Sequence, residues 1–94
     1  MAVTQQDIAR SVRLLRDNGA TRIVLFGSAV EHPESANDLD LGCEGIPPGR
    51  FYRVVGQLLD SIGKPVDLVD LAEETRLTRL IRARGRTIYE PENS

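Results

Sequence analysis

The chain has 94 residues, of which 40% are hydrophobic and 28% are charged, which is the composition of one small globular domain. Its net charge is −2, with two phenylalanines, two tyrosines and no tryptophan. A domain that binds nucleic acid is usually strongly basic, and a single-strand binder carries stacking aromatics, so we expect no direct nucleic-acid partner. No apolar run approaches the roughly 18 residues of a membrane helix, and neither a signal peptide nor a possible internal disulfide is visible. We therefore expect a cytoplasmic protein without a membrane segment.

Hydrophobic periodicity predicts eight elements along the chain. They are a helix over 4–18, a buried strand over 21–26, a short helical turn and loop over 29–37, a strand over 38–43, a helix over 50–61, a strand over 65–70, a helix over roughly 71–84 and a short strand over 86–89. This order predicts an α/β (α+β) fold, in which helices flank a small mixed β-sheet. We expect a single domain over residues 1–94, with 91–94 as a flexible tail.

The start of the last predicted helix, over roughly 71–84, follows from a capping signal. Asp70 followed three residues later by Glu73 resembles a capping box, which predicts that the helix begins at 71. Leu77, Leu80 and Ile81 recur at helical spacing, so we expect all three to face the core. The arginines of this helix, such as Arg76 and Arg79, fit either a solvated surface or contact with a partner or phosphate.

A Gly-Ser turn follows the first buried strand. Gly27 lets a ligand approach the backbone closely, and the Ser28 hydroxyl with nearby N–H groups suits an anion such as phosphate. Such a turn alone is more often only a turn, so the interpretation depends on what lies beside it.

Three aspartates supply the second half of the pattern. Asp38 and Asp40 alternate with apolar residues, which places both carboxylates on one face of a strand. Asp67 interrupts an apolar strand, where a buried carboxylate needs a partner. Arginine side chains could supply that partner, but oxygen ligands of this kind also suit Mg²⁺.

The combination is more specific than its parts. Gly27-Ser28, nine intervening residues, Asp38-Leu39-Asp40 and a third aspartate on a later strand resemble the nucleotidyltransferase superfamily related to DNA polymerase β. Within that superfamily the chain is most similar to the minimal nucleotidyltransferase (MNT) domain, over about residues 20–71.

The resemblance implies an activity and a partner. Gly27 and Ser28 would bind the triphosphate of ATP, and Asp38, Asp40 and Asp67 would bind Mg²⁺ and form the catalytic site. Proteins of this family act as antitoxins that transfer AMP to a tyrosine hydroxyl of a HEPN-type ribonuclease toxin, which implies a hetero-oligomer. Family members often carry a basic residue after the Gly-Ser pair, where this chain has Ala29-Val30. An alternative is therefore a catalytically silent antitoxin that neutralises its partner by binding alone.

Overall fold

The computed structural model describes residues 2–91 and contains the eight elements in the predicted order. They are α1 (Gln5–Asp17), β1 (Arg22–Phe26), α2 (Ser28–Glu31), β2 (Leu39–Glu44), α3 (Pro48–Ile62), β3 (Val66–Asp70), α4 (Arg76–Arg84) and β4 (Arg86–Tyr89). Pro91 is exposed and lies outside regular structure, while the rest of the predicted tail, 92–94, falls outside the described residues. Within residues 2–91, no helix is both long enough and apolar enough to cross a bilayer.

The four strands form one mixed sheet in the order β3-β2-β1-β4. β1 pairs antiparallel with both β2 and β4, whereas β2 and β3 run parallel. The parallel pair arises because α3 carries the chain from the end of β2 back to the start of β3. The predicted mixed α/β architecture is confirmed, and β3 and β4 are its edge strands.

The first face of the sheet packs against α1 and α3. Leu39, Leu41 and Cys43 alternate along β2 and are almost completely buried there. Leu15 of α1 and Leu58 of α3 are fully buried against them. This is the larger of the two cores. The apolar residues at helical spacing in α1 and α3 form its helical side, opposite the sheet.

The second face carries a smaller core under α4. Its buried members are Val24 of β1, Leu71 after β3 and Ile81 of α4, with Phe26 and Val69 packed against them. Since side chains alternate along a strand, the residues of β2 between the core leucines also point to this face. The second face is therefore partly apolar, under α4, and partly acidic, at Asp40.

The predicted start of α4 is wrong. The helix begins at Arg76 with Thr75 as its N-cap, and Thr75 and Thr78 form a reciprocal capping box. Asp70 instead ends β3 and accepts a 2.9 Å hydrogen bond from the Ala72 N–H. The ladder extends past β3 because the Leu71 N–H donates to the Cys43 carbonyl at 2.9 Å. With its backbone paired and its side chain fully buried, Leu71 cannot begin a helix.

The predicted inward face of α4 is only partly right. Ile81 is buried, but the side chains of Leu77 and Leu80 are 49% and 47% exposed. Thr78 takes the second inward position, where its hydroxyl is hydrogen-bonded within the capping box. The later start leaves α4 with nine residues, and its two leucines line the edge of the covered area instead of its centre.

A partly buried ion pair joins α1 to the segment before β3. Asp7 accepts a 2.9 Å hydrogen bond from the Thr4 N–H, which completes the predicted capping box of α1. The ammonium group of Lys64 donates to the Asp7 carboxylate and, at 2.9 Å, to the Ala2 carbonyl. Hydrogen bonds from Lys64 and Thr4 together lower the pKa of Asp7, because they stabilise its charged form against the effect of burial.

Candidate active site

The Gly-Ser turn and the Asp40 carboxyl group meet at one corner of the second face. Gly27 has a φ of +74° and links the end of β1 to the start of α2. A Cβ atom at this position would overlap the Asp40 carboxyl oxygen Oδ2. Glycine is thus required here both by the left-handed backbone and by the close approach of the carboxyl group.

Asp40 and Asp67 lie side by side on the parallel pair of strands. They are register partners between β2 and β3, and Phe26 of β1 is the partner of Asp40 on the other side. Asp40 is half-buried, whereas Asp67 is exposed. The expectation that Asp67 lies in a buried strand is wrong, because β3 is an edge strand in which only Val66 is buried.

Asp38 lies just outside the strand that the alternation predicts for it. β2 begins at Leu39, and Asp38 occupies the bend before it with an exposed side chain. Its charge nevertheless acts on Asp40. The structure therefore places all three aspartates in one electrostatic neighbourhood, with Asp38 on a segment whose backbone is not paired in the sheet.

The electrostatics of this cluster are unfavourable for a charged Asp40. Burial raises the pKa of Asp40, and the negative charges of Asp67 and then Asp38 raise it further. Each of these effects disfavours the ionised carboxylate. A bound cation would reverse them, because an opposite charge within a few ångströms favours ionisation.

Within the described part of the chain, no basic side chain forms a salt bridge with the cluster of Asp38, Asp40 and Asp67. Glu44, two positions beyond Gly42 on the same face of β2, shows the contrast: it pairs with Arg22 at 3.5 Å and with Arg82 at 3.1 Å. Pairing with arginine, the alternative considered for the aspartates, is therefore seen at Glu44 and not at Asp38, Asp40 or Asp67 within the described chain.

The donor set of the cluster fits a hard divalent cation. All its donors are carboxylate oxygens, the ligands that Mg²⁺ prefers, and their mutual repulsion is relieved by positive charge. Across residues 2–91, however, no group of three or more Asp, Glu, His or Cys side chains is placed to hold a metal ion. The metal-binding role of Asp38, Asp40 and Asp67 consequently stays a prediction, as does phosphate binding by Gly27 and the half-buried Ser28.

A groove beside this corner was not predicted from the sequence. It has a volume of about 170 Å³, and it lies between α2 and α4. Its lining consists of Phe26, Gly27, Val30, Glu31, Leu77, Leu80, Ile81 and Arg84. The groove was missed because every apolar position of α4 was expected to face the core. The Thr75-x-x-Thr78 capping signal could have predicted the later helix start, which leaves Leu77 and Leu80 at the groove.

Comparison with known proteins identifies the fold. No protein-family model matches the chain, and no curated protein matches it significantly. A toxin–antitoxin crystal structure with AMP-PNP matches with a TM-score of 0.73 and 23% identity, over 96% of this chain and 76% of the other. A complex of tri-AMPylated Shewanella oneidensis HEPN toxin with MNT antitoxin matches with a TM-score of 0.72 and 22% identity, over 93% and 72%.

A third match concerns a mutant toxin–antitoxin complex in which two aspartates, two positions apart, are changed to glutamates. Its TM-score is 0.72 at 21% identity, over 96% of this chain and 75% of the other. At these identities the three matches establish a shared fold. The chain therefore has the fold seen in these toxin–antitoxin structures, as the resemblance to the MNT domain predicts.

Proposed function

We propose that this chain is an antitoxin of the MNT class, which transfers AMP from ATP to a tyrosine hydroxyl of a HEPN-type ribonuclease toxin. The observation that carries the proposal is the unneutralised carboxylate cluster packed against the Gly27 turn. The neighbouring structures support it, since one contains AMP-PNP and another a tri-AMPylated HEPN toxin with its MNT antitoxin. The two aspartates changed to glutamates in a third neighbour have the same spacing as Asp38 and Asp40.

The proposed reaction is an in-line displacement at the α-phosphorus of ATP. The tyrosine oxygen forms a new bond to that phosphorus, the bond to the bridging oxygen of the β-phosphate breaks, and pyrophosphate leaves. Gly27 and Ser28 orient the β- and γ-phosphates at the end of β1. Asp67 is exposed at the sheet edge beside Asp40 and accepts the proton of the attacking hydroxyl. Positioning and neutralisation of charge supply most of the rate enhancement.

Mg²⁺ would be held by Asp40, Asp67 and Asp38, and it would supply charge neutralisation of the triphosphate and of the leaving pyrophosphate. The close contact between the Asp40 carboxyl and Gly27 keeps metal-binding and phosphate-binding groups next to one another. Asp38 can adjust to the ion because its backbone lies outside the strand.

The test needs a HEPN-type partner protein, which is to be sought among the products of the genes beside the one for this chain. We incubate the two purified proteins with ATP and Mg²⁺ and measure the partner by intact mass spectrometry. The wild type is expected to add the mass of one AMP for each modified tyrosine. Asp40→Asn is expected to reduce the rate by more than the roughly 10–100-fold that is typical of groups that only support metal ligands. Asp60→Asn, an exposed aspartate of α3, is the matched control and should transfer normally.

A ribonuclease assay of the toxin, run on the same samples as the mass measurement, separates the catalytic antitoxin from the silent one. If the wild type neutralises the toxin without any mass gain, and Asp40→Asn neutralises it equally well, transfer is not its mechanism. Omission of Mg²⁺, or its replacement by EDTA, should abolish the mass gain if the cluster works as proposed.

A further inference from the structure

The groove between α2 and α4 has the size and lining of a site for one large apolar side chain. Its volume of about 170 Å³ is close to the roughly 150 Å³ of an apolar cavity that admits a benzene molecule. Phe26 and Ile81 contribute apolar surface, and Val30 closes the α2 side. One aromatic ring or branched aliphatic side chain would fill it.

The leucines at the edge of this groove are unusually exposed. Leu77 and Leu80 each leave about half of their surface to solvent, and both line the groove. Single exposed leucines are common, but here two of them continue the apolar lining of a concave site. Covering them would remove apolar area from water, which favours association.

The charges around the groove specify what its occupant carries. Residues four apart are neighbours on a helix, so Arg76, Leu80 and Arg84 form one row along α4 with a cation one turn on either side of the leucine. Neither arginine takes part in a salt bridge within the described chain, in contrast to Arg82, which is held by Glu44. Glu31 on the α2 wall is the single acidic group of the lining. Acidic groups of the occupant are therefore attracted to the arginines of α4 and repelled by the α2 side.

The groove is continuous with the candidate active site. Gly27 lines the groove and also contacts the Asp40 carboxyl group. Phe26 lines the groove and is the register partner of Asp40. A protein that presents a hydroxyl group at the aspartates would therefore lie over the groove as well.

We propose that the α2–α4 groove docks the acceptor protein through one large apolar side chain on a helix of that protein, with acidic residues one helical turn on either side that pair with Arg76 and Arg84. This inference rests on the proposed function, since the acceptor is the toxin whose tyrosine is modified. It adds the surface that binds the toxin and the pattern that the toxin helix carries.

The experiment measures the affinity of the same purified HEPN-type partner for variants of this chain by isothermal titration calorimetry. Leu80→Asp should weaken binding by roughly 30-fold or more, as expected for a central interface residue. Leu59→Asp is the matched control, because Leu59 is a 44% exposed leucine on α3, away from the groove. The double variant Arg76→Glu/Arg84→Glu should also weaken binding, and the exposed Arg50 and Arg53 of α3 provide the charge-matched control Arg50→Glu/Arg53→Glu.

Three outcomes distinguish the inference from the proposed function. If Leu80→Asp binds the partner as tightly as the wild type while remaining folded by circular dichroism, the groove is not the docking site and the inference is overturned. If groove variants lose the partner but still bind Mg²⁺ and ATP, docking is separate from the nucleotide site, as proposed. If groove variants lose the partner and the wild type binds it without AMP transfer, the docking inference stands and the catalytic proposal fails. The pairing is tested directly by charge reversal, in which the partner's acidic residues are changed to arginine. Binding of this altered partner to the Arg76→Glu/Arg84→Glu variant should recover.

Discussion

At the scale of single residues, Gly27 links backbone conformation to the candidate chemistry. It has a positive φ, and its Cα faces the Asp40 carboxyl group so closely that no side chain fits between them. A residue in this position determines whether the carboxylate cluster stays beside the phosphate-binding turn.

The first prediction concerns the substitution Gly27→Ala. The added methyl group must displace the Asp40 carboxyl group, and the alanine must keep a backbone with positive φ. Together these should lower the free energy of unfolding by about 1–3 kcal/mol. Binding of Mg²⁺ and ATP should fall with it, because the carboxyl group moves. Urea denaturation and calorimetry measure the two effects.

Gly56→Ala provides the control for that prediction. Gly56 lies within α3, and a Cβ atom there would meet nothing within 4 Å. The substitution should stabilise the protein by about 0.5–1 kcal/mol through helix propensity, with normal nucleotide binding. Equal effects of the two substitutions would contradict the assignment of Gly27 to the site.

The second prediction concerns the single cysteine. Burial raises the pKa of Cys43 to about 12, with smaller contributions from the charges of Asp70 and Glu44. Because the thiolate is the reactive form, the native protein should resist a thiol reagent such as iodoacetamide at pH 8. The rate should rise steeply in guanidinium chloride, which mass spectrometry can follow; rapid labelling of the native protein would place Cys43 outside the core.

At the scale of elements, α4 is where prediction and structure differ most. Both Asp70-x-x-Glu73 and Thr75-x-x-Thr78 look like capping signals, and local sequence does not choose between them. The choice is made by Leu71, whose side chain packs 2.9 Å from where a Cβ atom of Gly42 would lie. A tertiary contact across the sheet thus keeps the chain extended where propensity would allow a helix.

The third prediction tests this cap. Thr75→Ala removes the side-chain acceptor for the Thr78 N–H and should destabilise the protein by about 1 kcal/mol. Glu73→Ala is the control, because Glu73 is exposed and makes no side-chain hydrogen bond within the described chain; it should change stability by less than about 0.5 kcal/mol. If thermal denaturation showed a larger loss of stability for Glu73→Ala than for Thr75→Ala, the helix would start at 71 as the Asp70-x-x-Glu73 signal predicts.

Elements with a strong hydrophobic periodicity could be predicted from the sequence. The exposure of residues at the margins of the packed sheet faces could not. The apolar stripe of α3 and the alternation in β2 each have one consistent reading, so their positions were predicted to within two residues. The exposure of Asp67 depends on β3 being an edge strand, and the exposure of Leu80 depends on where a nine-residue helix crosses the sheet. Both are properties of the assembled sheet, which spacing along the chain does not encode.

The same distinction applies to the candidate site. Gly27, Asp40 and Asp67 lie at one corner of the sheet, as the motif spacing predicts. The sequence could not predict that Asp38 falls outside its strand, or that Glu44 rather than the cluster receives the arginines. Those features depend on register and on side-chain reach across the sheet.

At the scale of the whole molecule, the partly buried pair of Asp7 and Lys64 connects the first helix to the parallel part of the sheet. The two residues are separated by 57 positions in the sequence. Since the pKa of Asp7 is lowered in the folded state, its contribution to stability is present above the unfolded-state pKa and is lost as the pH falls through the lower, folded-state value.

The fourth prediction follows from that linkage. Asp7→Asn should lower the free energy of unfolding at pH 7 by about 1.5–3 kcal/mol, the range for a hydrogen bond to a charged group. It should also reduce the loss of stability of the wild type on acidification, because one titrating carboxyl group is gone. Denaturation curves from pH 7 to pH 3 measure both, with Asp60→Asn as the control. Parallel pH profiles for Asp7→Asn and wild type would show that Asp7 is not perturbed.

Lys64 is also the only lysine of the chain, since the other eleven of its twelve basic residues are arginines. Its amine is engaged by two oxygen acceptors, and only 17% of its side chain is exposed. Amine-directed conjugation, whether by an enzyme that attaches a modifier or by an ester-based fluorescent label, therefore meets no freely accessible lysine on this protein. Dyes or surface tethers for interaction measurements are better attached through an engineered cysteine far from the groove.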